Sequence, residues 1–437
     1  MRRALHSVAF LLVAGSATAG CEEELPPTGQ IVLHVETDAT LASERSAGAH
    51  PALFDRLRVE WFEPGKDAPC DGCLREFAAT QEVFLEDRAS TGFVPRPFVS
   101  GYRARATLYR HAGVAGPRAT SSITTTLELP AVGADGIAHV WAALRTADVG
   151  APRGALDAPL SGERQSKALR PGTWDDDVRR ECTEPPGPFE ACVPGGGFFI
   201  GSASHPIEGR EHLVKVSPFY VDVHEVTVRE FRRTRLAREG DPSPRTGCNF
   251  SPAAGEWDDL PINCISHGMA AAYCERIGKK LLTEAQFERV ATGLGAFDYP
   301  WGRSLPECGD AVFARDDGSS IAEYKACVSL GVGAARAGAG ALDRLALGGV
   351  AITDLAGNLS EWMLDTYNDE GDPCFASGGL LVDPICTAAG ARVKSGHAVR
   401  GGSFATSVLS LRGSARTAGP TDDTGAKFVG LRCARSE

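Results

Sequence analysis

Apolar and polar residues alternate along the N-terminal part of the chain with the period of two that half-buried strands show. The clearest cases are residues 31–36, which read Ile-Val-Leu-His-Val-Glu, and residues 57–62, which read Leu-Arg-Val-Glu-Trp-Phe. The same criterion predicts strands at 82–85, 102–110, 121–129 and 138–144. Clusters of Gly, Pro and Asp separate these segments, and none has the period of an amphipathic helix. The pattern predicts an antiparallel β-sandwich over residues 29–148.

The alternation stops near residue 149, and residues 149–185 are predicted to form a linker. Pro152, Pro159 and Pro171 interrupt regular structure, and the Asp triplet at 175–177 is typical of solvated charge.

From residue 186 onward the chain has short strands, a few helices and long glycine-rich loops. Helices are predicted to begin at Thr227, to cover residues 268–277, and to run from a Thr283 cap to Ala291. The glycine-led strand at 195–202 is not a phosphate loop, because no Gly-Lys-Ser/Thr follows it. Loops of this length need cross-links.

The composition bounds the class of protein. A chain of 437 residues with 43% hydrophobic and 23% charged residues is expected to form two globular domains. The formal net charge of −11 gives no basic surface of the kind that nucleic-acid-binding proteins use. We therefore expect no nucleic-acid partner.

The N-terminus predicts export. Arg2 and Arg3 precede an apolar run at 8–14 that is too short to span a bilayer, and small residues continue to Cys21. Residues 18–21, Thr-Ala-Gly-Cys, resemble the lipobox of bacterial lipoproteins, although Thr18 stands where a bulky apolar residue is usual. We predict a signal peptide over 1–20, lipidation of Cys21 and a tether over 21–28, with the protein anchored in the cell envelope at the outer membrane. Plain secretion is the alternative.

The cysteine count agrees with an oxidising compartment. If Cys21 carries lipid, twelve of the thirteen cysteines remain, an even number that suits disulfides. Short separations suggest the pairs Cys182–Cys192, Cys248–Cys264, Cys308–Cys327 and Cys374–Cys386.

Cys70-Asp-Gly-Cys73 has the spacing of a redox motif. A redox role needs a helix that starts at the first cysteine, and zinc needs two further ligands nearby, whereas this segment is a Pro/Gly loop between strands. A structural disulfide between Cys70 and Cys73 is the preferred interpretation.

The segment 354–362, Asp-Leu-Ala-Gly-Asn-Leu-Ser-Glu-Trp, places a carboxylate on each side of a Gly-Asn turn. A hard cation such as calcium is bound by carboxylate and carbonyl oxygens held in a tight loop. The alternative is a turn whose acids are solvated and whose Trp362 is buried. Spacing alone leaves both possibilities open.

Several short motifs occur in one order across the C-terminal half. They are Gly-Gly-Phe-Phe-Ile-Gly-Ser at 196–202, His-Glu-Val-Thr at 224–227, Leu-Pro-Ile-Asn-Cys-Ile-Ser at 260–266, Ala-Tyr-Cys at 272–274, the segment 278–288, Tyr-Pro-Trp-Gly at 299–302, the segment 354–362, Arg-Gly-Gly-Ser-Phe at 400–404 and Gly-Leu-Arg-Cys at 430–433. The ordered set resembles the sulfatase-modifying-factor domain of formylglycine-generating enzymes. The resemblance implies an irregular α+β fold related to C-type lectins over residues 186–437.

The resemblance also implies ligands and a pairing. In this family the loop binds calcium through positions that match the side chains of Asp354 and Glu361 and the backbone carbonyls of Gly357 and Leu359. We therefore expect a structural calcium ion. The family also pairs Cys274 with Cys433, which completes six disulfides.

The catalytic residues of the family are missing. Its enzymes place two cysteines shortly after Arg-Gly-Gly-Ser-Phe, where the thiolates bind copper. Residues 405–412, Ala-Thr-Ser-Val-Leu-Ser-Leu-Arg, contain no cysteine, and Ser403 alone cannot hold the metal. The ten histidines show no spacing typical of an iron site. Copper is not expected, and no catalytic residue is predicted.

Together these observations predict a non-catalytic envelope lipoprotein whose calcium-stabilised domain is a binding or scaffold module. Its expected partners are the membrane, through the lipid anchor, and an envelope protein or glycan. The alternative is a divergent oxidative enzyme of the same superfamily that uses copper or non-haem iron.

Overall fold

The computed structural model describes residues 29–43, 52–86, 89–111, 116–162, 168–174, 179–202, 205, 211–236, 247–367, 374, 378–387, 396–420 and 425–437. The predicted signal peptide, Cys21 and the tether lie outside the described residues. Within the described part, no helix has the length and apolar character needed to cross a membrane.

The N-terminal domain is a two-sheet β-sandwich, as predicted. Its strands are β1 (Gln30–Thr37), β2 (Arg56–Phe62), β3 (Leu74–Ala78), β4 (Ser90–Phe93), β5 (Arg103–Tyr109), β6 (Ser122–Glu128), β7 (Ile137–Leu144) and β8 (Leu160–Ser161). One sheet has the order β4-β1-β7 and the other β3-β2-β5-β6-β8. The alternating apolar residues face the space between the sheets, where Trp61 stacks on Phe93 with ring centroids 4.9 Å apart.

The structure differs from the prediction in several details, among them β3 and β4, which no predicted segment covers. β1 pairs with β7 in parallel along its whole length, so the sandwich is not purely antiparallel. Residues 82–85 belong to a helix, α1 (Gln81–Leu85), because so short an apolar run fits either structure, and this helix buries Glu82 and Phe84. β8 lies in the predicted linker and pairs in parallel with β6, which ties that segment to the sheet.

The C-terminal domain has the predicted irregular α+β fold. Its strands are β9 (Glu190–Val193), β10 (Gly196–Ile200), β11 (His212–Val216), β12 (Phe219–Asp222), β13 (Lys280–Leu281), β14 (Arg344–Leu347), β15 (Val350–Thr353), β16 (Ser360–Thr366), β17 (Leu381–Val382), β18 (His397–Arg400), β19 (Arg416–Ala418), β20 (Val429–Gly430) and β21 (Cys433–Ser436). They form sheets ordered β10-β11-β17, β13-β21-β12-β9, β14-β15 and β19-β18-β16-β20.

The helices of this domain are α2 (Val228–Arg233), α3 (His267–Arg276) and α4 (Glu284–Ala291). The hydroxyls of Thr227 and Thr283 accept hydrogen bonds from the backbone three residues on, in capping boxes with Glu230 and Gln286. Ser266 caps α3 in the same way. The cap residues therefore fix where each helix begins.

Disulfides fasten the long loops of the chain. The structure contains Cys70–Cys73, Cys182–Cys192, Cys248–Cys264, Cys274–Cys433, Cys308–Cys327 and Cys374–Cys386. Cys70 and Cys73 lie in the turn between β2 and β3, without the helix that a redox motif needs. All twelve cysteines among the described residues are therefore in disulfides.

The two domains share a packed boundary. Phe199 and Leu213 of the C-terminal domain join the apolar core of the sandwich, where the Phe199 ring meets Phe54 edge-on at 5.6 Å. Thr120 of the sandwich donates a hydrogen bond to the carbonyl of Glu211 at 3.1 Å. This contact fixes the sandwich against β10 and β11.

Candidate functional site

The loop predicted to bind a cation is in the interior of the C-terminal domain, between β15 and β16. Asp354 is 2% exposed and Glu361 is 1% exposed, so the alternative of solvated acids is wrong. Trp362 is also buried, and its indole Nε1 donates a hydrogen bond to the Ile265 carbonyl at 3.0 Å. Both carboxylates therefore depend on partners within the protein.

Arg432 is the main partner of Glu361. Its fully buried guanidinium donates from Nε and Nη2 to Glu361 Oε1 at 3.0 and 2.8 Å. Nη1 donates to the Asp222 carbonyl at 3.0 Å and Nη2 to the Thr353 carbonyl at 2.7 Å. One side chain thus connects β12, β15 and β16.

Two further carboxylates hold the loop by its backbone. Glu225 accepts hydrogen bonds from the Leu359 amide at 2.8 Å and from Asn358 Nδ2 at 2.5 Å. Asp343 Oδ1 accepts from the amides of Leu355 and Ala356 at 3.0 and 3.1 Å. We call Glu225, Asp343, Asp354 and Glu361 the carboxylate cluster.

Sequence reasoning found only half of this cluster. Glu225 and Arg432 lie in the motifs at 224–227 and 430–433, whose sequences alone do not indicate a role for these two residues. Asp343 lies in a glycine-rich stretch without any periodic pattern. Only the fold brings these three residues to the loop.

Burial dominates the electrostatics of the carboxylate cluster. It raises the pKa of Glu225 well above its usual value, and the charges of Asp354 and Glu361 raise it further. Burial, followed by the Asp354 charge, raises the pKa of Asp343 to about 7. Burial lowers the pKa of Arg432, but the Glu361 carboxylate more than offsets this effect, and the net shift is upward. One guanidinium therefore faces four carboxyls, which need bound protons or a further cation.

Asp354 has the features of a ligand. Its backbone φ is +57°, a region that non-glycine residues rarely occupy. Oδ2 accepts hydrogen bonds from the Gly338 amide at 2.7 Å and from Thr353 Oγ1 at 3.0 Å, whereas Oδ1 is buried without a hydrogen-bond partner among the described residues. A buried oxygen without a partner is costly unless something outside the chain binds it.

The turn itself requires glycine at Gly357. Its φ is +140°, and a β-carbon there would lie 2.6 Å from the Val312 carbonyl oxygen. The turn is therefore pressed against the preceding loop. Within the described part of the chain, no three Asp, Glu, His or Cys side chains converge as a metal-binding group.

The segment after Arg-Gly-Gly-Ser-Phe lies beside the cluster. Ser360 Oγ donates to the Gly402 carbonyl at 2.9 Å, which joins the two segments. Ser403 is fully buried, and its amide donates to Thr406 Oγ1 at 2.8 Å, which closes a tight turn. Leu411, further along, is fully buried. This segment offers hydroxyls and packed apolar groups rather than thiolates.

The histidines considered in the sequence serve structural contacts. His267 Nε2 lies 3.0 Å from the Met363 carbonyl, and its ring stacks on His397 with centroids 3.2 Å apart. His224 Nδ1 lies 2.8 Å from the Glu225 carbonyl. The rings of His267 and His224 therefore make contacts at two separate places in the domain.

The sequence matches the profile of the family described as sulfatase-modifying factor enzyme 1-like domain over residues 176–437. The formylglycine-generating enzyme of Thermomonospora curvata is 24% identical over 317 residues, which cover 60% of this chain and 98% of that protein. Inactive C-alpha-formylglycine-generating enzyme 2 of Mus musculus is 28% identical over 152 residues, which cover 25% of this chain and 49% of that protein. The solved structure of Treponema denticola variable protein 1 aligns with a TM-score of 0.43 and 19% identity, covering 60% of this chain and 99% of that one.

The raised pKa of Asp343 gives a pH dependence that can be measured. A carboxyl that is harder to ionise in the folded protein stabilises the fold below its ordinary pKa, and this contribution is lost as the pH rises through about 7. In chelator-containing buffer, the unfolding free energy of the wild type should fall from pH 5 to pH 8 by about 2 kcal/mol more than that of Asp343→Asn. Asparagine keeps the oxygen that both loop amides use, so the variant should still fold. Urea titrations at several pH values check this, and equal slopes for the two proteins would contradict it.

Proposed function

Because the chain belongs to the sulfatase-modifying factor enzyme 1-like family, we propose that it is a non-catalytic member that serves as a binding or scaffold module of the cell envelope. The family membership confirms the resemblance that the ordered motifs predicted. The role of the module is the part that experiments need to establish.

One observation carries the non-catalytic proposal: every cysteine from Cys70 onward is in a disulfide. A soft copper ion needs thiolate ligands, and a disulfide sulfur is not a thiolate. The segment 405–412 supplies no replacement ligand, because its side chains are hydroxyl, aliphatic or cationic. The Mus musculus relative bears the name of an inactive enzyme, which agrees with this role.

Metal content and oxygen consumption test this proposal. The purified full chain should contain copper and iron far below one equivalent by mass spectrometry, and it should consume no oxygen when given a cysteine-containing peptide and a thiol reductant. The Thermomonospora curvata enzyme, loaded with copper, is the positive control for the assay. One equivalent of copper or iron together with peptide-dependent oxygen consumption would instead establish the divergent oxidase.

We further propose that calcium stabilises the loop. The side chains of Asp354 and Glu361 and the carbonyls of Gly357 and Leu359 would hold it. The donor set suits a hard cation, since all four groups are oxygens. The buried Asp354 Oδ1 without a partner and the excess of carboxylates over Arg432 support the assignment. A bound cation would offset the repulsion within the carboxylate cluster and leave its members ionised.

Calcium removal tests the loop. Calcium at a hundredfold excess over Kd should stabilise the wild type by about 2.7 kcal/mol, which raises the Tm of a domain of this size by about 5–10 °C relative to chelator. Asp354→Ala should abolish this difference. Asparagine tolerates a positive φ and keeps one side-chain oxygen, so Asp354→Asn should retain part of this difference in Tm. If the wild type melts identically with calcium and with chelator, the assignment is wrong.

We also propose that Cys21 is lipidated and holds the protein at the outer membrane. The supporting features are the sequence of residues 18–21 and the six disulfides, which agree with an oxidising compartment.

Metabolic labelling with an alkyne fatty acid tests the anchor. The wild type should be labelled and should sediment with the outer membrane, whereas Cys21→Ser should be unlabelled and released. Equal labelling of the two proteins, or a soluble wild type, would contradict the anchor.

A further inference from the structure

Arg315 is a buried arginine without a counter-ion among the described residues. The residue is 7% exposed, and its Nε is buried without a hydrogen-bond partner there. Within the described part of the chain, its guanidinium forms no ion pair and no hydrogen bond. Arginine cannot lose its proton to relieve the cost of burial. The fold therefore keeps an unpaired positive charge at this position.

The other buried arginines show that this is unusual for the molecule. Arg432 binds Glu361, and Arg400 binds Glu288. Two other buried arginines donate hydrogen bonds to backbone carbonyls. Arg289 donates to the carbonyls of Pro194 and Gly195. Arg103 donates to the carbonyls of Leu156, Glu63 and Lys66. Arg412 also has a partner. Burial alone lowers the pKa of Arg315, whereas burial opposed by a carboxylate raises that of Arg432.

The nearest acid in the sequence does not serve Arg315. Asp316 instead binds Lys427, with Nζ 2.9 and 3.1 Å from its two oxygens. The Asp316 carboxylate and the Lys427 ammonium are therefore paired with each other. Arg315 is left as a single positive charge without a second cation committed to the same place.

The backbone holds Arg315 rigidly beside the segment that follows Arg-Gly-Gly-Ser-Phe. Its amide donates to the Phe404 carbonyl at 2.7 Å, and its carbonyl accepts from the Gly333 amide at 3.1 Å. Ala314, just before it, has φ +51° and is held by hydrogen bonds to Thr406 and Cys327. Strained backbone of this kind persists where the surrounding structure over-determines it, often at ligand sites.

An exposed glycine lies next to the end of the Arg315 side chain. Gly331 is exposed, and a β-carbon there would lie 3.8 Å from Arg315 Nη1. Since glycine carries no side chain, nothing at this residue covers the terminal nitrogens. An anion can therefore approach the planar fork from the side of Gly331.

We infer that Arg315 is the anion-binding residue of a ligand site beside Phe404, and that the ligand presents a carboxylate. A planar guanidinium binds a carboxylate through two parallel hydrogen bonds. One guanidinium carries one positive charge, so a singly charged planar carboxylate matches it in both charge and geometry. This inference rests on the proposed binding role and gives the chemical class of the ligand.

Binding and stability measured together test the site in the purified full chain. N-acetylglycine is the carboxylate probe and its amide is the neutral control, each followed by ligand-observed NMR. Sulfate is the competing anion, followed through its displacement of N-acetylglycine. The wild type should bind the carboxylate and not the amide. Arg315→Met should weaken carboxylate binding at least tenfold. Arg315→Lys keeps the charge but loses the planar guanidinium, so its affinity should lie between those of the wild type and Arg315→Met.

Stability separates a ligand site from a structural arginine. Without ligand, Arg315→Met should melt at or above the wild-type temperature, because it removes an unpaired buried charge. Arg289→Met, which removes a buried arginine that has partners, should melt lower. Unchanged carboxylate binding in Arg315→Met, a lowered Tm like that of Arg289→Met, or a preference for sulfate would each overturn the inference. None of these results bears on oxygen consumption, so failure here is distinct from failure of the proposed function.

Discussion

The ion pair between Glu361 and Arg432 is the constraint on which the C-terminal domain depends. Arg432 lies on the chain between β20 and β21, yet its nitrogens reach β12, β15 and β16. Because the pair is fully buried, removal of either partner would leave an uncompensated charge, at a cost of about 3–5 kcal/mol. Four carboxyls around one guanidinium are stable only while protons or a cation complete the balance. The conformation of the loops therefore depends on the charge balance of the carboxylate cluster.

The same domain joins charge balance to recognition. The carboxylate cluster holds the Gly-Asn turn, and Ser360 ties that turn to Gly402. The segment that follows then sets the position of Arg315 through the Phe404 carbonyl. In this arrangement the buried acids hold the turn, and Arg315 lies next to the exposed Gly331.

Much of the fold could be predicted from local patterns. The strand patterns located β1, β2, β5, β6 and β7, and the C-terminal helices were predicted from Thr227, over residues 268–277 and from the Thr283 cap. β3 was not predicted because it is an exposed edge strand without a buried face. α1 was not predicted as a helix because five residues are too few to show a helical period. Glu225, Asp343 and Arg315 could not be predicted as site residues, because their roles come from contacts between distant segments. Lipidation and calcium stay predictions.

The link between Cys274 and Cys433 has a consequence for the order of folding. It closes a loop of 159 residues and joins α3 to β21, which lies inside the sheet β13-β21-β12-β9. β21 supplies the hydrogen bonds that join β13 to β12, so that sheet cannot close until residues 433–436 have been synthesised. The N-terminal sandwich has no such requirement, apart from the contacts that Phe199, Leu213 and Leu380 make with its core. The first domain can therefore assemble while the second one remains open until its final strand is in place.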